Sequence, residues 1–506
     1  DLEGSWLSVN YDPWGTGITY TGFCLMGLGC LLLLCARDGG FRRLLRHPQI
    51  RKGGLFLIAL FGGCQLKADP ALPVVKRVQA DSLAIQQVVY NDRVAPFNTL
   101  ARDFVQKIYG RPSFHRITPE QVVSSWMLYP EEWNRTPIIR IKNQELRTAL
   151  GLKEEYASLN HLFDGTQYKL QPLWQREQGN RSKLAQAIQE TDEKVGLILM
   201  LRQGTLIRPL PPDVTPLSTQ KVNAELWYNR IPFSKILFMV NLTLGFAAFG
   251  LFMFRMLTGR KEKAVSRRVW GTALCLTTLF HATGYALRGY IRGGFPLSNG
   301  YETMQFVALA VLLTACLLQR RFPFTRPFGF LLSGFTLLVA YLGEMNPQIT
   351  PLMPVLASPW LSWHVSLIMI SYGLFAFTFL NGILALCLIG KQKNTASPIT
   401  GEQIEQLTLL SRLLLYPGTF LLGIGIVLGA VWANVSWGSY WSWDPKEVWA
   451  LAAFIIYGIS FHRNSLPCFQ RQWLFHGYMI FAFAVVLMTY FGVNHLLGGM
   501  HSYANS

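Results

Sequence analysis

The chain has 506 residues, 51% of them hydrophobic and 15% charged, with a mean hydropathy of +0.25. Soluble domains carry about 25% charged residues, which argues against an ordinary cytosolic enzyme. Apolar runs near bilayer length, about 20 residues each, recur along the chain and predict a polytopic α-helical membrane protein. The net charge of +18 raises nucleic acid as a partner, but no nucleic-acid motif accompanies it, and the placement of the charges accounts for it otherwise.

Ten apolar segments are predicted in chain order: 17–35, a short one at 54–65, then 235–257, 268–287, 303–319, 328–345, 363–389, 413–432, 447–462 and 473–492. One set of alternate loops carries 20 Lys and Arg, including Arg42, Arg43, Arg260, Lys261, Arg320 and Arg471. The opposite short loops carry only Arg288, Arg292 and Lys446. Positive residues mark the cytoplasmic side, so both termini are expected on the outer side. Between the second and third segments lies a polar block, 66–233, with 22 Lys and Arg against 17 Asp and Glu. Its helical periodicity (Leu184, Ile188, Val195, Leu199) and the alternation of Pro137–Lys142 predict one extracytoplasmic α+β domain. No catalytic motif stands out in it, so partner docking or a scaffold role is its expected part. The expected division is therefore 1–53 with one span, 54–65 as a short span, 66–233 as that domain and 234–506 as the main membrane domain.

Eight cysteines, at 24, 30, 35, 64, 275, 316, 387 and 468, form no C-x-x-C, and all but Cys468 lie in apolar runs. They read as small buried hydrophobes rather than as thiol-redox or zinc residues.

The chemistry concentrates in an outer loop, Trp437-Gly-Ser-Tyr440-Trp441-Ser-Trp443-Asp444-Pro-Lys-Glu-Val-Trp449, with four tryptophans in thirteen residues. Interfacial anchoring explains one such residue, and Trp449 alone is explained that way. Packed Trp and Tyr with small spacers instead suggest a platform at 437–449 for a large flat ligand. Asp444 serves either to hold that platform in shape or to touch the ligand. His364 begins a span and His501 follows the last one, both on the outer side. A single such histidine is more often structural. Two imidazoles at matching depth beside an aromatic platform fit axial ligation of a haem iron.

These stretches resemble a known family. The segment WGSYWSWDPKE is similar to the tryptophan-rich "WWD" signature of haem-handling proteins, in the CcsA (ResC) form of cytochrome c synthases. Phe295–Glu302, His364-Val-Ser and Gly492-Val-Asn-His495…His501-Ser-Tyr503 agree with it, so the likeness covers about 230–506. Residues 1–35, with Ser8–Pro13 before an apolar run, resemble the end of a CcsB (ResB) protein, and 66–233 resembles the domain joining the two in System II CcsBA fusions.

The resemblance implies cytochrome c biogenesis: haem b is carried across the membrane and joined by thioether bonds to a C-x-x-C-H motif of apocytochrome c, the activity of a holocytochrome c synthase (haem lyase). It implies His364 and His501 as outer iron ligands, with Trp437, Tyr440, Trp441, Trp443, Asp444 and Trp449 forming the haem surface. His462, at the cytoplasmic end of its span, matches the family's transmembrane ligand, whose partner comes from the CcsB half. The remaining CcsB part and a thioredoxin-like thiol reductant are therefore expected partners. His281, about 16 Å up its span at 1.5 Å per residue, is not expected to share an iron with His462. His495 competes with His501 for the outer site. Arg288 and Arg292 either pair with haem propionates or anchor their loop. The competing functions are a haem transporter or chaperone without synthase activity, and a secondary transporter of an unrelated solute.

Overall fold

The computed structural model describes residues 72–497 except 166, 179–181, 259, 261, 344, 346, 351–357 and 395–397; before residue 72 it describes only 19, 21–26 and 29, which are helical. The expected 54–65 span, most of 17–35 and His501 lie outside the described residues.

From residue 72 to 230 short helices pack around small antiparallel sheets. The helices are α1 (Arg77–Ala84), α2 (Phe97–Tyr109), α3 (Pro119–Leu128), α4 (Pro130–Arg135), α5 (Gln144–Ala149), α6 (Leu170–Glu177), α7 (Lys183–Arg202) and α8 (Thr219–Arg230). Strands β1 (Gln87–Tyr90) and β2 (Arg93–Pro96) form a hairpin in register Gln87↔Pro96 and Tyr90↔Arg93. Asn91 and Asp92 turn it with φ of 51° and 54°, the left-handed pair that a two-residue hairpin requires and that Asn and Asp tolerate. Leu100, Phe104, Trp126, Trp133, Ile139 and Ile188 lie at the centre of the core. Thr118 and Gln121 close a capping box before α3, with Pro119 at its first position.

The remainder is a helical membrane bundle. It comprises α9 (Phe233–Thr258), α10 (Ala264–Arg292), α11 (Gly300–Leu318), α12 (Thr325–Leu342), α13 (Pro359–Asn394), α14 (Pro398–Trp437), α15 (Pro445–Ile459) and α16 (Gln472–Leu487), followed by a π-helical stretch, Met488–Leu497. Six of the described helices are long and apolar enough to cross a membrane: those at Phe233–Met256, Gly300–Leu318, Thr325–Leu342, Pro359–Gln392, Gly401–Trp437 and Gln472–Asn494. Helices α10 and α15 cover the other two predicted segments in this part. The first is more polar, and the second has 15 residues, about 22 Å at 1.5 Å per residue. In lipid, dispersion and hydrogen bonds rather than expelled water hold helices together. Accordingly Phe375 lies flat on Tyr457, centroids 3.5 Å apart. Buried Asn241 donates to Ser333 at 3.0 Å, and Asn381 to Ser411 at 3.1 Å.

Arginines tie the two parts together. Arg288 Nε donates to Glu302 at 2.7 Å, its Nη1 to Tyr228 and to the Pro347 carbonyl, and its Nη2 to the Gln348 carbonyl. From the other side Arg93 donates to the Ile349 carbonyl at 2.9 Å and grips Glu225 with both terminal nitrogens. The segment 347–349 is thus held between them. Arg288 and Arg292 stand on the last turns of α10 rather than in a loop, because that helix runs on until Gly293 ends it at φ 80°. Arg288 is 1% exposed and committed to Glu302, and Arg292 donates to the other Glu302 oxygen at 2.9 Å. Both arginines thus anchor this junction, and Arg292 keeps its buried Nη2 without a hydrogen bond among the described residues.

At the same junction, burial pushes the Asp103 carboxyl up to about 6, against the pull of Arg102 and Arg93. A carboxyl raised in the folded state holds a proton there that the unfolded chain has already released. Its contribution to stability is then largest at acid pH and declines as pH rises through about 6. Asp103→Asn should remove this decline, so that its melting temperature exceeds that of the parent by a few degrees at pH 8 but not at pH 5. Thermal unfolding across pH 5–8 checks this; parallel curves for both proteins would contradict it.

Candidate functional site

The site starts from two antiparallel helices that approach unusually closely. On α14, Gly418, Gly425 and Gly429 face Phe375, Ile368 and His364 of α13, the spacing of seven and then four residues repeating on both helices. A Cβ at Gly429 would lie 2.5 Å from Cε1 and 2.6 Å from Nδ1 of His364, and one at Gly425 would lie 2.8 Å from Ile368. Only glycine leaves room for the imidazole there. Removing the side chains also bares the α14 backbone, and His364 Nδ1 lies 2.6 Å from the Gly425 carbonyl. A carbonyl only accepts, so Nδ1 carries the hydrogen, and in the neutral ring the lone pair is then at Nε2. Metal-binding histidines characteristically anchor the second nitrogen in this way.

Beyond His364, α14 continues to Trp437 and stops where Gly438 turns at φ 76°. The loop 438–444 then leads into α15. Asp444 is buried and is the N-cap of α15: its carboxylate accepts from the Lys446 amide at 2.9 Å, while Glu447 accepts from the Asp444 and Ser442 amides. Pro445 occupies the first helical position, where its missing N–H costs nothing. These bonds have Asp444 shape the start of α15. Trp443, just before the cap, holds φ 58°, a left-handed conformation that costs a non-glycine residue about 1–3 kcal/mol. It is nevertheless 73% exposed.

Trp441 meets Trp443 edge to face at 6.0 Å, and Trp437 meets Trp432 likewise at 6.5 Å. Tyr440 is half-buried, and Phe23 of the N-terminal helical stretch packs edge-on against it at 6.2 Å. Trp449 packs into the inner cluster with Phe375 and Met479. Trp360 and Trp363, exposed by 47% and 63%, open α13 at this same end of the bundle.

The other described histidines stand on other elements. His462 is exposed in a short 3-10 turn, Ser460–Asn464, just beyond α15. It follows Asp444 by eighteen residues, about 27 Å along a helix at 1.5 Å per residue. His281 is buried in α10 beside Gln305, and among the described residues neither ring nitrogen makes a hydrogen bond of normal geometry. His476 is buried against Thr408 at 2.9 Å. His495 stands in the π-helical stretch, and His501 lies outside the described residues.

Sequence reasoning passed over Gly425 and Gly429, although Gly425-Ile-Val-Leu-Gly429 is the small-x-x-x-small pattern of closely packed membrane helices. It also passed over Trp360, and the Lys446 ammonium that reaches Asn494 at 2.7 Å.

Comparison with known proteins places this geometry. Residues 297–501 match a family model described as cytochrome C assembly protein. The chain is 32% identical to protein NrfI of Wolinella succinogenes, in an alignment covering all of this chain and 64% of that protein's length. It is 33% identical to the cytochrome c biogenesis protein CcsA of Synechococcus sp. strain WH7803, over 52% of this chain and 94% of that protein. Similarity to CcsA of Prochlorococcus marinus strain NATL2A is 32%, over 52% of this chain and 93% of the relative. The chain thus spans less than two thirds of NrfI and nearly all of each CcsA.

The Gly429 contact generates a direct test. Gly429→Ala should push the imidazole off the Gly425 carbonyl and remove most of the haem bound by the purified protein. Gly458→Ala, where a Cβ meets nothing within 4 Å, should bind as the parent does. Haem per chain by absorbance checks both; equal binding by Gly429→Ala would mean that this packing does not set the site.

Proposed function

The chain belongs to the CcsA family of cytochrome c biogenesis proteins, and from that premise we propose that it presents haem b on the outer face of a bacterial inner membrane for covalent attachment to apocytochrome c. The observation that carries this reading is the His364 imidazole anchored at Nδ1, at the bundle end that bears the aromatic loop. His364 binds one face of the haem iron, and His501 supplies the second axial imidazole from the carboxy-terminal segment. Trp437, Tyr440, Trp441 and Trp443 give the porphyrin apolar area at low entropy cost. Asp444 and Trp449 keep that surface in shape, the first by capping α15 and the second by packing into the bundle.

Attachment then needs orientation more than acid–base chemistry. Each cysteine S–H of a C-x-x-C-H client adds across a haem vinyl group: sulfur bonds to the carbon next to the ring, and hydrogen goes to the terminal carbon. Electrons balance without an oxidant, provided that the thiols arrive reduced, which assigns a thioredoxin-like protein the task of keeping them so. The client histidine then takes over one axial position, and the product leaves. His462, at the far end of α15, contributes an imidazole where haem enters from the cytoplasm. The 66–233 block faces the same side as the haem surface and docks partners.

His364→Ala and His501→Ala should each abolish covalent haem on a co-expressed C-x-x-C-H client while the variants remain inserted at parental levels. His115→Ala and His161→Ala should be silent. His462→Ala should lower delivery from the cytoplasm and spare haem already outside. Full attachment in either outer variant would overturn the ligand assignment; loss in His495→Ala alone would move the second ligand to that residue. Haem transferred to the client without a covalent bond would instead identify a chaperone. In the same assay Trp441→Ala and Trp443→Ala should lower haem occupancy while Trp270→Ala does not.

A further inference from the structure

Asp444, Ser442 and Glu447 spend their side-chain bonds on shaping the start of α15, whereas the Lys446 side chain runs out of the loop. Its Nζ donates to Asn494 Oδ1 at 2.7 Å. The Asn494 amide is oriented for this, because its Nδ2 donates to the Tyr490 carbonyl at 2.7 Å and the oxygen is left facing Lys446. One turn earlier, Thr489 Oγ1 lies 3.3 Å from the Trp449 carbonyl while also donating to Val485 at 2.8 Å. The stretch Met488–Leu497 is thereby held to the aromatic loop and its helix at two points. It is also the described stretch that departs from α-helical winding into a π-helix, a costly geometry that recurs at functional sites. The chain runs from Asn494 directly to His495 and on to His501.

We propose that Lys446 and Asn494 are a positioning pair that ties the carboxy-terminal segment to the aromatic loop and sets where the second axial imidazole meets a haem held by His364. The inference rests on the axial ligation proposed above. A lysine suits the task because an ammonium on a four-carbon stem spans the gap between two elements and makes a charge-assisted hydrogen bond on arrival. The winding of the π-helix aims Asn494 at the loop; a regular helix over the same residues would rotate its side chain away.

The test uses the full chain purified with its haem. Lys446→Met and Asn494→Leu should each turn part of the low-spin six-coordinate haem into a high-spin five-coordinate form. Covalent haem on the client should fall about tenfold, the loss expected for one charge-assisted bond. Added imidazole should restore the low-spin spectrum, since it replaces a displaced ligand, whereas it would not repair a misfolded bundle. Lys446→Arg should keep the parental spectrum, and the exchanged pair Lys446→Asn with Asn494→Lys should recover most of the attachment. Parental spectra and attachment in Lys446→Met would overturn the pairing, as would haem loss that imidazole does not reverse. His501→Ala and His495→Ala separate the two levels. If one of them gives the high-spin form and Lys446→Met does not, the positioning pair alone fails. If both stay low-spin, the axial reading fails and takes the pair with it.

Discussion

The approach of α13 to α14 is the constraint from which the outer site follows. Where Gly425 and Gly429 face Ile368 and His364, the helices come so near that an added Cβ would overlap the neighbouring side chain. In lipid such proximity is favourable, since close backbones gain dispersion contacts that lipid tails would otherwise supply less well. The same proximity puts an imidazole within bonding distance of a main-chain carbonyl on the partner helix. His364 is therefore held in position, with its hydrogen on Nδ1, by the packing itself.

The aromatic loop depends on that pair in turn. It spans from the end of α14 to the cap of α15, and its shape comes from helix-terminus chemistry. Asp444, Pro445 and Glu447 are an N-cap, a first-turn proline and a capping-box partner. They fix the start of α15 and hold Trp443 in a backbone conformation that a free loop would abandon. In the proposed function the conspicuous tryptophans supply the surface, and the less conspicuous residues beside them supply the rigidity. Most of the motif is scaffold.

How far the sequence reveals this differs by level. The membrane helices are legible because a segment in lipid must satisfy its own backbone hydrogen bonds, so length and apolarity suffice; α9 and α11 to α14 lie where hydropathy predicts them. The aromatic loop is legible because four tryptophans exceed what an interface needs. Arg288 misleads, since a charged residue after an apolar run reads as loop, yet α10 continues through it and buries it against Glu302. The partner that makes this burial tolerable lies fourteen positions away on another helix, beyond any local pattern. The role of Gly429 is hidden for a similar reason. A glycine in an apolar helix shows that a close approach is allowed, and only the packed bundle shows that a histidine occupies the space. The capping role of Asp444 is legible in the Asp-x-x-Glu spacing, and shape-holding is one of the two roles the sequence leaves to it.

The central claim is that His364, anchored at Nδ1 by α14, coordinates haem iron through Nε2 at the aromatic end of the bundle. Pulsed electron paramagnetic resonance of the ferric haem-loaded protein, with histidine labelled by nitrogen-15, tests it most directly. The account predicts couplings from two axial imidazoles, one of which disappears in His364→Ala. Couplings unchanged by that substitution would contradict it.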